Sequence, residues 1–155
     1  MKTSAGLLMY RRRNKELEVL LVHPGGPFFA RKDAGAWTIP KGEAAAEEDL
    51  QCRARIEFEE ELGLVPSGDY IELGSIKQKG GKVVYAWAVE GDLPENFELV
   101  SNTFTLEWPP RSGGTRECPE VDCAEFFSIP VAREKMNPAQ VPFLDLLSEL
   151  IGRSE

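Results

Sequence analysis

The stretch ARIEFEEELGL, residues 54–64, leaves the chain little choice of local structure. Ala54, Phe58 and Leu62 recur at i, i+4 and i+8, an apolar stripe down one side of a helix. Gly63 follows as the residue that ends it. The pattern predicts a helix from about Ala46 to Leu62, docked by that stripe on a sheet. Its carboxyl end carries Glu57, Glu59, Glu60 and Glu61. The negative pole of the helix dipole lies there, and like charges three or four residues apart repel. Glu57, Glu60 and Glu61 share one face, at i, i+3 and i+4, while Glu59 points elsewhere into solvent. Left alone, such carboxylates raise one another's pKa, and a divalent cation removes the penalty. Hard cations such as Mg²⁺ take oxygen ligands and keep water and substrate phosphate in the remaining positions. The face therefore reads as a metal platform. The competing reading, a solvated acidic surface, is weakened by the helix-end penalty.

The rest of the chain alternates strand and loop signals. Residues 4–10 and 17–23 read as a hairpin of buried strands joined by the charged turn RRRNKE. Residues 24–37 are a Gly/Pro loop, and WTIP, 37–40, is a short strand closed by Pro40. YIELGSIKQ and KVVYAWAVEG form a strand pair around KGGK. TFTLEW is a strand, PPRSGGTRECPE a loop and VDCAEFFSI a final strand. Residues 141–151 carry apolar residues at helical spacing and form a closing helix. Strands flanked by helices imply an α/β or α+β layered domain with a mixed β-sheet. The 155 residues, 42% hydrophobic and 28% charged, suit one domain spanning 1–155.

Composition narrows the function classes. No apolar run approaches the ~20 residues of a membrane span, and the N-terminus reads as a first strand rather than a signal peptide. Cys52, Cys118 and Cys123 are an odd count with no CxxC pair, which argues against a disulfide framework or zinc site and for a reducing, cytoplasmic setting. A net charge of -8 argues against nucleic-acid polymers as partners. Polyphosphate binding then needs a local supply of cations.

Upstream of the acidic helix, WTIPKGEAAAEE places Lys41 and Gly42 where a strand turns toward it. From Gly42 there are five residues to Glu48, then seven, then IEFEEELGL. This arrangement resembles the 23-residue box of the Nudix hydrolases: Gly, five residues, Glu, seven residues, then Arg-Glu-apolar-any-Glu-Glu-any-Gly-apolar. Gly42, Glu48, Glu57, Phe58, Glu60, Glu61, Gly63 and Leu64 match. The segments VHPGGPFFARKDAGAWTIPKGE, QKGGKVVYAWAVEGD and SNTFTLEWPPRSG resemble a bacterial subgroup predicted to be nucleotide pyrophosphohydrolases. The resemblance implies the Nudix fold, a mixed sheet sandwiched between helices. It further implies Mg²⁺- or Mn²⁺-assisted attack of water on phosphorus in a nucleoside diphosphate linked to another group. Nucleoside triphosphates and dinucleoside polyphosphates such as diadenosine tetraphosphate are the expected substrates.

Residue by residue, the resemblance makes Glu57 and Glu61 the principal metal ligands, Glu60 a ligand that also helps activate water, and the Lys41 carbonyl a further ligand. Glu48 orients the helix side. The family also uses a glutamate outside the box, for which Glu107 is the first candidate and Glu117 or Glu120 the next. One position departs: the box arginine, which helps orient the glutamates, is Ile56. Arg53, four residues before Glu57, or Arg55 could supply the missing charge; otherwise Arg53 makes only a weak surface pair. The departure also permits a catalytically weak or inactive nucleotide-binding or sensor domain. Lys41, Lys79 and Lys82 are phosphate candidates, Lys77 less so, and Arg111 and Arg116 could reach the same cleft. Arg11, Arg12 and Arg13 read as a solvated turn. Phe28 and Phe29, paired in a loop, are candidates for a nucleobase, as are Tyr85 and Trp108, whereas Trp37 and Trp87 read as core. His23 and Cys52 receive no role.

Overall fold

The computed structural model describes residues 2–95, 97–99 and 102–152. The strands are β1 (Thr3–Arg13), β2 (Glu16–Pro24), β3 (Lys41–Glu43), β4 (Tyr70–Lys77), β5 (Val83–Glu90), β6 (Thr103–Glu107), β7 (Thr115–Pro119) and β8 (Val121–Ser128). The helices are α1 (Leu50–Leu62), α2 (Ile129–Lys135) and α3 (Pro142–Leu147).

Strand periodicity sets the layers. Leu7, Met9, Leu20 and Val22 point to one face of the sheet and cluster with Ala54, Phe58 and Leu62 of α1. Leu8, Tyr10, Val19 and Leu21 point to the other face and cluster with Ala132 of α2 and Phe143, Leu144 and Leu147 of α3. Phe58 is fully buried, worth roughly 1.5–3 kcal/mol of apolar burial. The main sheet runs β4-β5-β1-β2-β8, with β1 and β5 parallel and the other pairs antiparallel. The mixed sheet between helical layers agrees with the sequence reading. Among the described residues no helix is long and apolar enough to cross a membrane.

One irregularity positions the site. β2 pairs with β1 only from Tyr10 to Arg13, and beyond that it follows β8. The gap it leaves beside β1 is filled by residues 37–43. Thr38 exchanges two backbone hydrogen bonds with Val22, Leu7 donates to Pro40, and β3 pairs with Ser4–Gly6. The C-terminal layer grips the same segment: Trp37 donates to the Lys135 carbonyl, Asn137 donates to the Trp37 carbonyl, and Ile39 donates to Oε1 of Gln140, which is 0% exposed.

Several sequence expectations are corrected. The short strand is Lys41–Glu43 rather than 37–40, where Trp37 and Thr38 make only isolated bridges. The acidic helix begins at Leu50, not near Ala46. Glu47 sits at φ 66, and Asp49 caps the helix by accepting the Cys52 amide at 3.0 Å. Arg11, Arg12 and Arg13 belong to β1, and the turn is Asn14–Lys15, both at positive φ. Arg11 is not simply solvated: it bonds Glu18 and Asp92 and lies 3.8 Å from the centre of the Phe126 ring. Part of the loop 109–120 is β7, which pairs with β6 as a separate two-stranded sheet. α2 is an element the sequence pattern does not mark, and the closing helix is regular only to Leu147, continuing as a wider π turn over Ser148–Gly152.

Candidate active site

The acidic end of α1 faces β3. Gly63 ends the helix in the left-handed region, its amide donating to the Glu59 carbonyl at 2.7 Å. This fixes the angular placement of the last turn. Glu61 is turned inward and only 7% exposed, and its Oε2 has no hydrogen-bond partner. Glu60 and Glu59 are exposed. The Glu57 carboxylate rests against the backbone of Gly42: a Cβ there would meet Glu57 Cδ at 2.0 Å and Oε1 at 2.1 Å. Nothing larger than glycine fits beneath that carboxylate.

Strand register explains the main-chain contribution. The bonds from Leu7 to Pro40 and from Ala44 to Thr3 make Gly6 and Lys41 a non-hydrogen-bonded pair. The Lys41 amide and carbonyl therefore both point away from β1. The Lys41 amide hydrogen-bonds the Glu61 carboxylate, which leaves the carbonyl directed to the same side.

The electrostatics follow from burial and crowding. Burial, then the charge of Glu57, pushes Glu61 up to about 8, with Glu120 adding to the repulsion. Burial also raises Glu57, against the pull of Arg53 and together with repulsion from Glu60 and Glu120. Lys41 is lowered from its ordinary range by burial first and by Lys82 second, while Glu61 and Glu57 act the other way. Glu57, Glu61 and Lys41 thus sense one another across one locus, and Lys82 is near enough to act on Lys41. Among the described residues no three His, Cys, Asp or Glu side chains form a ready-made metal chelate. What is present is a buried carboxylate oxygen without a partner beside a second crowded carboxylate, a donor set suited to a hard cation.

Arg53 bridges two box acids. Its Nε donates to Glu48 Oε2 at 2.8 Å and its Nη1 to Glu57 Oε2 at 2.9 Å. Glu48 in turn accepts the Ala45 amide, and its carboxyl is held below the ordinary range, chiefly by Arg53. Arg55 faces Cys52 instead. Ile56 is half-buried. Arg53→Ala is expected to release Glu57 from its ion pair and lower kcat by about tenfold or more, the scale of losing a group that orients a functional side chain. Ile56→Arg in that background should recover part of the loss, as steady-state turnover would show.

The remaining candidates divide. Glu107 is exposed on β6 and accepts the amides of Arg111 and Gly113, so it closes its own hairpin. Glu117 meets Thr103 Oγ1 at 3.2 Å. Glu120 is the one of the three whose charge is felt at both Glu57 and Glu61. Lys82 is exposed but near enough to act on Lys41, and the Lys79 side chain lies outside the described residues. Lys77 is exposed at the end of β4. Phe28 and Phe29 are exposed in the loop after β2. Trp37 is core, as expected, and His23 is a structural bridge between Asp122 and the Lys32 carbonyl. Nothing in the local pattern marks Gln140 as the anchor of the approach to Lys41. A glutamine at helical spacing looks like a surface residue until its partner is known.

A mixed sheet between helical layers, with an acidic helix end set against a Lys-Gly strand, is the build of a Nudix domain. The chain belongs to that family: the NUDIX domain description matches residues 2–147. No curated protein matches the chain. Among solved structures it is similar to an Ap4A hydrolase of C. elegans in a binary complex, at TM-score 0.67 and 20% identity, covering 98% of each chain. It is also similar to the NUDIX domain of Shewanella oneidensis NrtR complexed with ADP ribose, at TM-score 0.66 and 13% identity, over 96% of this chain and 87% of that one. A third likeness is the E. coli ORF135 protein, at TM-score 0.58 and 20% identity, over 99% and 95%.

Proposed function

We propose that this chain is a divalent-cation-dependent pyrophosphohydrolase, working as one domain, that cleaves a phosphoanhydride in a nucleoside diphosphate linked to another group. The observation that carries the reading is Glu61: a buried carboxylate with an unpartnered oxygen, beside Glu57 and facing Lys41 and Gly42. A structural role gives no reason to bury and crowd two acids.

Glu57, Glu61 and the exposed Glu60 would hold the cation, Mg²⁺ first and Mn²⁺ second, with the Lys41 carbonyl as a main-chain oxygen. Bound there, the ion supplies charge neutralisation of the phosphates and a water of lowered pKa. The chain's own groups do the rest. Arg53 orients Glu57. Lys41 and Lys82 draw the phosphates toward the acids. Glu120 takes the proton of the attacking water, a role its field at Glu57 and Glu61 supports over Glu107. Likeness to the Ap4A hydrolase favours dinucleoside polyphosphates such as diadenosine tetraphosphate as substrates, with nucleoside triphosphates the simpler alternative.

The test is release of phosphate-containing products from a panel of these nucleotides with Mg²⁺. Glu120→Gln should lower kcat by about 100-fold, within the range of general-base losses. Glu107→Gln should lower the melting temperature but leave kcat within about threefold. Release from no member of the panel sinks the proposal. A second reading, a nucleotide-binding or sensor domain, is favoured by Ile56 and by the likeness to a domain complexed with ADP ribose. It predicts nucleotide binding by calorimetry with no turnover, and none gained by Ile56→Arg.

A further inference from the structure

The loop after β2 and the β6–β7 hairpin meet in an aromatic and basic patch that the acid site does not use. Phe28 is 56% exposed and packs edge-on against Trp108 at the hairpin tip, with ring centres 5.3 Å apart. Phe29, 37% exposed, lies under Lys32 Nζ at 5.6 Å. Arg31 and Arg111 are exposed beside these rings in sequence. Among the described residues no carboxylate pairs with Arg31, Lys32 or Arg111. The nearby acids are occupied: Glu107 by backbone amides, Asp33 by Lys135 and the Trp37 indole, and Asp122 by His23. In a chain of net charge -8, three unpaired cations around exposed aromatic rings stand out as a local exception.

The patch is physically continuous with the acid site. Gly25 donates to the Glu120 carbonyl at 3.0 Å, and Gly26 lies over Phe104 and Cys118 of the hairpin. From Thr103–Pro119 at its base to Glu107–Thr115 near its tip, the hairpin runs four residue steps. At the usual rise this is about 14 Å. A base seated on Phe28 and Trp108 at that tip is set off from Glu120 at the hairpin base by a length that an extended polyphosphate carrying a nucleoside at each end can span.

We propose that the Phe28–Trp108 patch is a second nucleotide subsite, which stacks the far base of a two-headed substrate while Arg111 and Lys32 meet its phosphates. Exposed π-faces take any base, and guanidinium and ammonium groups take phosphate, so the patch fits a nucleoside phosphate better than an apolar peptide. The inference rests on the proposed nucleotide chemistry of the acid site, but it has a readout of its own.

The measurement compares a dinucleoside tetraphosphate with a nucleoside triphosphate. Phe28→Ser and, separately, Arg111→Glu should each lower the ratio of their kcat/KM values by about tenfold, the scale of losing one base stack. A non-hydrolysable dinucleoside tetraphosphate should quench tryptophan fluorescence, and Trp108→Phe should remove most of that quench while keeping the affinity. Phe28→Ser should weaken that affinity by the same factor as the ratio. An unchanged ratio with an unchanged affinity in both variants overturns the subsite. So does a shift in oligomeric state on size exclusion with the ratio unchanged, which would make the patch a contact between copies. If the protein turns over neither nucleotide yet binds the two-headed probe with the Trp108 quench, the hydrolase reading fails and the subsite stands.

Discussion

Glu61→Gln is expected to make the cation-free protein more stable at alkaline pH and at the same time nearly inactive. Burial pushes the Glu61 carboxyl up to about 8. In the unfolded chain it titrates in the ordinary carboxylate range, near 4.5. Between those two values the folded protein holds a proton that the unfolded chain has released, so stability falls as pH rises through the window. Below it the group is neutral in both states, and above it the full penalty, a few kcal/mol, is in place. Glutamine keeps the shape and removes the charge. Melting curves in chelator should therefore converge for the two proteins near pH 4.5 and separate toward pH 8.5, with the variant higher. Millimolar Mg²⁺ should raise the wild type and leave the variant where it was. Turnover should fall by at least about 100-fold, since even groups outside the immediate ligand set cost 10–100-fold when lost. A variant that is no more stable in chelator at pH 8.5 would mean that Glu61 is not held as a charge awaiting a partner.

Gly42→Ala is the second large effect, and it separates geometry from charge. The added methyl would stand 2.0 Å from Glu57 Cδ, an impossible contact, whereas the main chain at Gly42 is not in the left-handed region and accepts alanine. The Glu57 carboxylate must move while the fold persists. A displacement of about 1 Å in a catalytic group costs on the order of 100-fold, so kcat should fall by that factor with little change in melting temperature. Glu57→Asp, one methylene shorter, should recover part of the loss in the Gly42→Ala background. Failure of the double variant to exceed the single one would remove the steric explanation.

What the sequence made legible follows from which forces are local. The stripe Ala54, Phe58, Leu62 and the stop at Gly63 are helix-periodic, and the structure uses both as read. The acid face could also be drawn, because three residues on one helix keep their angles whatever the surroundings. Their depth could not: Glu60 is exposed and Glu61 buried because β3 covers only one side, a fact about a strand from elsewhere in the chain. The same limit explains the weighting of Glu107 over Glu120. Glu107 sits in an alternating strand, a clear signal, but its partners are the amides of its own turn. Glu120 stands between two strands, where no alternation marks it, although it is the one whose field reaches the helix. Arg53 was visible as a neighbour of Glu57. Its second partner, Glu48, required knowing that the helix starts at Leu50 and that the chain folds back before it.

The segment 37–43 is gripped from both sides of the sheet. Trp37 and Ile39 are tied to the connector between α2 and α3, while Lys41 and Gly42 meet α1 on the opposite face. It behaves as a rivet through a plate: whatever loosens the head on one surface shifts the shank on the other. Remodelling the C-terminal helices for solubility, tagging or immobilisation would thus retune the spacing between Lys41–Gly42 and the acids of α1 without touching a single acid.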